Sequence, residues 1–301
     1  MKEKKKNSRI NHLADTCPAL FGVASLVIML GALLFLDLSS NPVNMGLVRL
    51  GAAGVVALLL YPVFGLDYLK KPWKGWKAIP EMGKVLSVIS ILFLLIGGIV
   101  AAFAGSGIKT WLCDCIPYAF LFLAVGIFEE IVCRQALFMT LARQFRSHKY
   151  GTLTAAVIAS LIFGMIHVVF ELSFTPAGII TAIGKIVECA FTAMVLCGML
   201  YKSKNLWVPI LVHAFFDFSA FSTSIAVSGY AEIGSYVKTD MSTETLSVIA
   251  VYLVETLILL PAVIHVVKLF LAEEQTSRSL SKKYHSRQKI QATKHLLYET
   301  L

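Results

Sequence analysis

The sequence predicts an all-α, polytopic membrane protein of about eight transmembrane helices, and three observations carry that reading. Of 301 residues, 57% are hydrophobic and 15% charged, with a mean hydropathy of +0.75, against about 45–50% apolar and about 25% charged in an ordinary soluble domain. One water-soluble core of this size cannot bury so many apolar side chains, so lipid must solvate most of the chain. Apolar stretches of membrane-crossing length recur eight times, and the positive charges fall between them with a strong bias to one side.

The first stretch, residues 17–36, follows a basic start and is too long for the apolar run of a signal peptide; Leu36-Asp37-Leu38-Ser39 makes a poor cleavage site. It reads as a retained first helix. The others lie at about 46–66, 84–104, 116–141, 152–170, 177–200, 205–227 and 246–272, each near the ~20 residues that cross ~30 Å of hydrocarbon at 1.5 Å per residue. Twenty-two of the 27 Lys and Arg then fall on one side, among them Lys2, Lys4, Lys5, Lys6 and Arg9, the Lys70–Lys84 group, Arg143, Arg146, Lys149, Lys202, Lys204 and the tail. Only Arg49, Lys109 and Lys238 fall on the other. This is the positive-inside pattern of a cell-membrane protein with both termini cytoplasmic. The net charge of +9 is therefore accounted for without a nucleic-acid partner. The chain divides into a basic N-terminus (1–16), a membrane domain (17–272) and a basic tail (273–301) that reads as a solvated or lipid-surface segment. The six cysteines form no disulfide framework, since Cys133, Cys189 and Cys197 sit inside spans and Cys113 and Cys115 are too close together to bridge.

Charged groups inside spans point to chemistry. The fourth span holds Glu129, Glu130 and Arg134, and each charge left facing lipid at mid-helix costs roughly 2.5–3.5 kcal/mol. Glu130 and Arg134 stand four apart with the acid first, so they can pair on one face. Glu129, rotated by about 100° on an α-helix, has no partner on its own helix and is the carboxylate left for a reaction. Phe163 and His167 on the fifth span are also four apart, as are His213 and Asp217 on the seventh. One unpaired Glu, two His and an Asp on three spans can activate water, bind a metal or relay protons. Lys185 and Glu188 read as an interior or interfacial pair, Glu255 and His265 as structural, and Phe215, Phe216, Phe218 and Phe221 as packing or lipid contact.

Those residues carry a resemblance. Glu129-Glu130-Ile131-Val132-Cys133-Arg134 matches EExxxR, Phe163 to His167 matches FxxxH, and His213 to Asp217 matches HxxxN/D. Together and in this order they resemble the CPBP family of intramembrane endopeptidases, which includes the CAAX prenyl endopeptidases and the bacterial Abi proteins, and the bacterial branch in particular. The likeness covers about residues 116–225, the expected catalytic core. It implies a glutamic-type protease, formerly classed with the metalloproteases, acting on a membrane-associated or lipid-modified peptide. Glu129 would activate water, His167 would hold and polarise it, and His213 and Asp217 would stabilise the oxyanion or orient the site. Glu130, Arg134 and Phe163 would support that arrangement. Asp217 stands where the CAAX-processing branch has Asn, and an ionised Asp cannot donate a hydrogen bond to an oxyanion. HExxH is absent, so no obligatory metal is expected; if zinc is used, Glu129, His167 and His213 are the ligands of suitable type. The alternatives are a non-catalytic scaffold or immunity protein of the same fold, and an ion-coupled transporter, although inverted repeats with broken helices are not evident.

Overall fold

The computed structural model describes residues 8–36, 41–70, 73–103, 105, 107–231 and 234–299, with no side-chain description before His12, at 35–36 or after Gln275. Lys2 to Lys6 and Asp37 to Ser39 lie outside the described residues, as do the side chains of the basic tail from 276 onward. Among the described residues there are helices and connecting turns but no strand.

A short helix, α1 (Ser8–Thr16), leads into α2 (Ala19–Leu36) and α3 (Pro42–Phe64). Asn41 caps α3 by accepting hydrogen bonds from the backbone N–H groups of Val43 and Asn44. A π-helical turn, Ile79–Gly83, opens α4 (Lys84–Phe103). Then come α5 (Ile108–Glu129), which continues as a π-helix over Glu130–Phe138, and α6 (Met139–Gln144), α7 (Gly151–Ile166), α8 (Pro176–Ser203), α9 (Trp207–Ser228) and α10 (Thr243–Glu299). Among the described residues, six helical segments are long and apolar enough to cross a membrane. Two shorter apolar helices, Ala19–Leu34 and Gly151–Ile166, stand at the first and fifth expected spans. Eight apolar segments thus match the eight expected in order, and α10 runs on without a break through residue 273.

Hydrogen bonds assign the loops to two ends of the bundle. At one end Arg143 bonds to Asp15 at 2.9 Å and to Val63 O at 3.1 Å. There too Lys202 meets Glu81 at 3.4 Å, Tyr201 donates to Glu273 at 3.0 Å, and Asn205 donates to Lys74 O. At the other end Glu171 receives the 235–237 loop, and Lys238 pairs with Glu244 at 2.7 Å. The basic loops therefore share one face. Arg49 lies toward the start of α3, within the expected second span, half-buried, with Nη1 donating to Met45 O at 3.3 Å.

Small residues set how closely the helices approach. A Cβ at Gly126 would lie 2.9 Å from Ile210 O and 3.1 Å from Ala214 Cβ, so α5 and α9 meet backbone to side chain one turn before the Glu129–Glu130 pair. A Cβ at Gly164 would collide with Ile186 O, which draws α7 equally close to α8. Outward-facing Leu58, Leu95, Leu112, Ile183 and Leu257 are exposed, the surface expected of a chain solvated by lipid.

Candidate active site

Span four is not a uniform α-helix. Beyond Glu129 the hydrogen-bonding step lengthens by one residue, so that Met139 N donates to Arg134 O. The rotation of about 100° per residue assumed from sequence therefore stops at Glu130, because the π-helical turn is wider. The Glu130–Arg134 pair survives the change, with Arg134 Nε 3.1 Å from Glu130 Oε2. Both side chains are sealed from solvent, at 0% and 1% exposure. The contact lacks the alignment of a hydrogen bond, and the Arg134 N–H groups have no hydrogen-bond partner among the described residues. The guanidinium lies over the Phe163 ring instead, with its carbon 4.3 Å from the centroid, so a cation–π contact supplements the ion pair.

Glu130 has a second task that the sequence does not reveal. Its Oε1 accepts a hydrogen bond of 2.7 Å from His213 Nδ1, across the α5–α9 contact that Gly126 allows. With Nδ1 committed as donor, Nε2 of His213 faces two further carboxylates, Asp217 Oδ2 at 3.4 Å and Glu129 Oε2 at 3.8 Å. Three acids on two helices thus surround one imidazole. The two sides differ in access. The Glu130 side is closed, whereas the Glu129 and Asp217 side chains retain 12% and 25% exposure, and Glu129 Oε2 makes no hydrogen bond among the described residues.

His167 joins this cluster through Phe163. The Phe163 ring packs 4.6 Å from His167 and 5.8 Å from His213, edge-on to both. His167 Nδ1 lies 2.8 Å from Phe163 O, and because a carbonyl only accepts, the proton sits on Nδ1 and the lone pair of a neutral ring on Nε2. His167 and Glu129 lie within Coulombic range. All seven residues singled out from sequence therefore meet around one centre.

Several neighbours carried no signal in the sequence. Arg49 is in electrostatic range of Glu129 and Tyr236. Tyr236, from the loop between α9 and α10, places its ring 6.2 Å from His167; burial raises its pKa, so the phenol stays neutral. Lys185 and Glu188 form the expected pair at 2.9 Å, and the Lys185 ammonium lies 4.6 Å from the Tyr236 ring centre. Phe221 stacks on Phe122 at 5.2 Å, as packing predicts. All six cysteines are free.

Among the described residues no group of three or more His, Cys, Asp and Glu side chains is arranged to hold a metal ion. The Nδ1–H groups of His213 and His167 are held by Glu130 and by the Phe163 carbonyl, which leaves Nε2 of each ring as the nitrogen able to meet a water or a metal ion.

A buried cluster of acids and imidazoles, built by three helices of a polytopic bundle, is a set able to activate water, bind a metal or relay protons inside a membrane protein. The family model Rce1-like, described as type II CAAX prenyl endopeptidase Rce1-like, matches residues 110–219, just over a third of the chain. That segment contains all seven site residues, and the match supports the CPBP/CAAX protease family and an intramembrane CAAX endopeptidase function in general. No curated protein and no solved structure matches the chain significantly.

Proposed function

We propose that this chain hydrolyses a peptide bond near the lipid-modified end of a membrane-associated peptide, using water activated by Glu129 without an obligatory metal. The observation that carries the reading is the asymmetry about His213: a sealed Glu130–Arg134 pair on one nitrogen, and on the other the accessible Glu129 and Asp217. Glu129, a partly exposed carboxylate beside His213 Nε2, takes a proton from water as it attacks the scissile carbonyl and passes it to the leaving amine. His167, its Nδ1–H held by Phe163 O, accepts from the same water through Nε2 and fixes its position. His213, polarised by Glu130 at Nδ1, presents Nε2–H to the developing oxyanion. Asp217 accepts from that N–H in the resting site and orients the ring, which explains how an acid can stand where an amide donor would otherwise serve.

The one-sided distribution of basic loops supports a cell-membrane location with both termini cytoplasmic, and Asp217 supports the bacterial branch. The test is turnover of a fluorogenic prenylated CAAX peptide by purified protein in lipid. Glu129→Gln should lower turnover by about 10²–10⁴-fold with folding intact, and activity should survive complete chelation. Wild-type turnover in Glu129→Gln would falsify the assignment.

A further inference from the structure

Glu171 lies four residues beyond His167, in the connection between α7 and α8. Its Oε2 accepts hydrogen bonds from three consecutive residues of the α9–α10 loop: Ser235 Oγ at 2.8 Å, Tyr236 N at 2.7 Å and Val237 N at 3.1 Å. Charge-assisted bonds of this kind are about twice as strong as neutral ones, and successive backbone N–H groups converging on one oxygen form an anion-binding nest. Further contacts continue the attachment on both sides. Tyr252 OH donates to Tyr236 O at 3.2 Å, and Lys238 N donates to Thr181 Oγ1 at 3.1 Å. Val237 is buried against Val168, Ala182 and Ile186. The product of all these contacts is the placement of one ring, Tyr236, beside His167 and under the Lys185 ammonium.

His167 needs such bracing. It is the first residue past α7, where the helix has given way to a turn with a 3.3 Å bond from its N–H to Gly164 O. Its side chain has one polar anchor among the described residues, at Nδ1. Phe163 packs against the ring from within α7, and Tyr236 is the second aromatic neighbour.

We infer that Tyr236, locked by the Glu171 carboxylate, is a positioning residue that holds the His167 ring in the orientation hydrolysis needs. The inference rests on the proposed hydrolytic reading for its consequence in turnover, but not for its physical content. Neither Tyr236 nor any other part of the α9–α10 loop lies in the segment matched by the family model. Glu171 does, but belongs to none of the three motifs.

The test uses full-length protein in detergent with two readouts. Carbethoxylation of His167 by diethylpyrocarbonate, followed by peptide mass mapping with His12 as internal reference, reports ring accessibility whether or not the chain is an enzyme. Turnover of the fluorogenic prenylated peptide reports the consequence. Tyr236→Ala and Glu171→Gln should each raise the His167 modification rate at least about threefold and lower kcat by about tenfold or more with little change in KM. Tyr236→Phe, which keeps the ring, should recover most of the loss seen in Tyr236→Ala. Unchanged modification of His167 in both Tyr236→Ala and Glu171→Gln overturns the inference. A parent protein that leaves the peptide intact counts against the hydrolytic reading alone, because the modification rates still decide the placement of His167.

Discussion

Replacing Arg134 by Met should cost more stability than any other single change in the membrane domain, and the structure sets the size. Arg134 is 1% exposed, lies 3.1 Å from Glu130 Oε2 and covers the Phe163 ring at 4.3 Å. Breaking a buried ion pair from one side costs about 3–5 kcal/mol, because the surviving charge stays desolvated. Losing a desolvated cation–π contact adds up to about 2 kcal/mol. Together they reach about 3–7 kcal/mol, comparable to the whole stability of many domains. The double variant Arg134→Met with Glu130→Gln removes both charges while leaving the Gln carbonyl able to accept from His213 Nδ1, so it should recover at least about 2 kcal/mol of that loss. Equilibrium unfolding in mixed micelles by increasing sodium dodecyl sulfate, read by Trp fluorescence, measures all three proteins. A double variant no more stable than Arg134→Met would show that no charge is stranded, and the pairing argument would be wrong.

Further expectations come from neighbouring features. Gly126→Ala forces a Cβ to within 2.9 Å of Ile210 O and should destabilise by about 1–3 kcal/mol, whereas Gly31→Ala, with nothing within 4 Å, should be neutral or slightly stabilising; equal effects in the same unfolding assay refute close approach as the cause. Asp217→Asn should retain measurable peptide turnover, since an amide oxygen can still orient His213, while Asp217→Ala should lose most of it; if Asn and Ala are equally impaired, Asp217 acts through its charge and not its lone pair. Tyr68, in the short 3-10 turn Asp67–Leu69, is pushed up to about 12 by burial, and its hydroxyl has no hydrogen-bond partner among the described residues. A raised folded-state pKa leaves stability intact below the unfolded value of about 10 and removes it as pH climbs from there toward 12, so Tyr68→Phe should flatten the fall of melting temperature over that window; parallel curves for the two proteins contradict this.

What the sequence made legible is what lies along one helix. The Glu130–Arg134, Phe163–His167 and His213–Asp217 contacts all join residues four apart, a spacing that places side chains on one face whatever the rest of the fold does. The eight apolar segments were equally plain, since their length answers to the bilayer. The contacts between helices were not readable in this way. Glu130 and His213 meet only because Gly126 lets α9 approach α5, and nothing in the spacing of 83 residues encodes that. The sequence puts Arg49 near the start of the second span, but its nearness to Glu129 and Tyr236 depends on which way that helix turns its face. Tyr236 escaped notice because it lies in a loop without periodicity, and its place is set by an acid 65 residues earlier. The π-helical turn carries no composition of its own.

The opposed carboxylates on His213 have a further effect on how charge is shared. Glu129 and Glu130 are adjacent in the chain yet address opposite nitrogens of one ring. The imidazole stands between them: the Arg134 cation neutralises the sealed acid at one nitrogen, while the other acid faces the opposite nitrogen. Under the proposed reaction the acid that exchanges a proton is therefore not the acid that pairs with the helix-anchoring cation, so hydrolysis and structural integrity would draw on separate carboxylates.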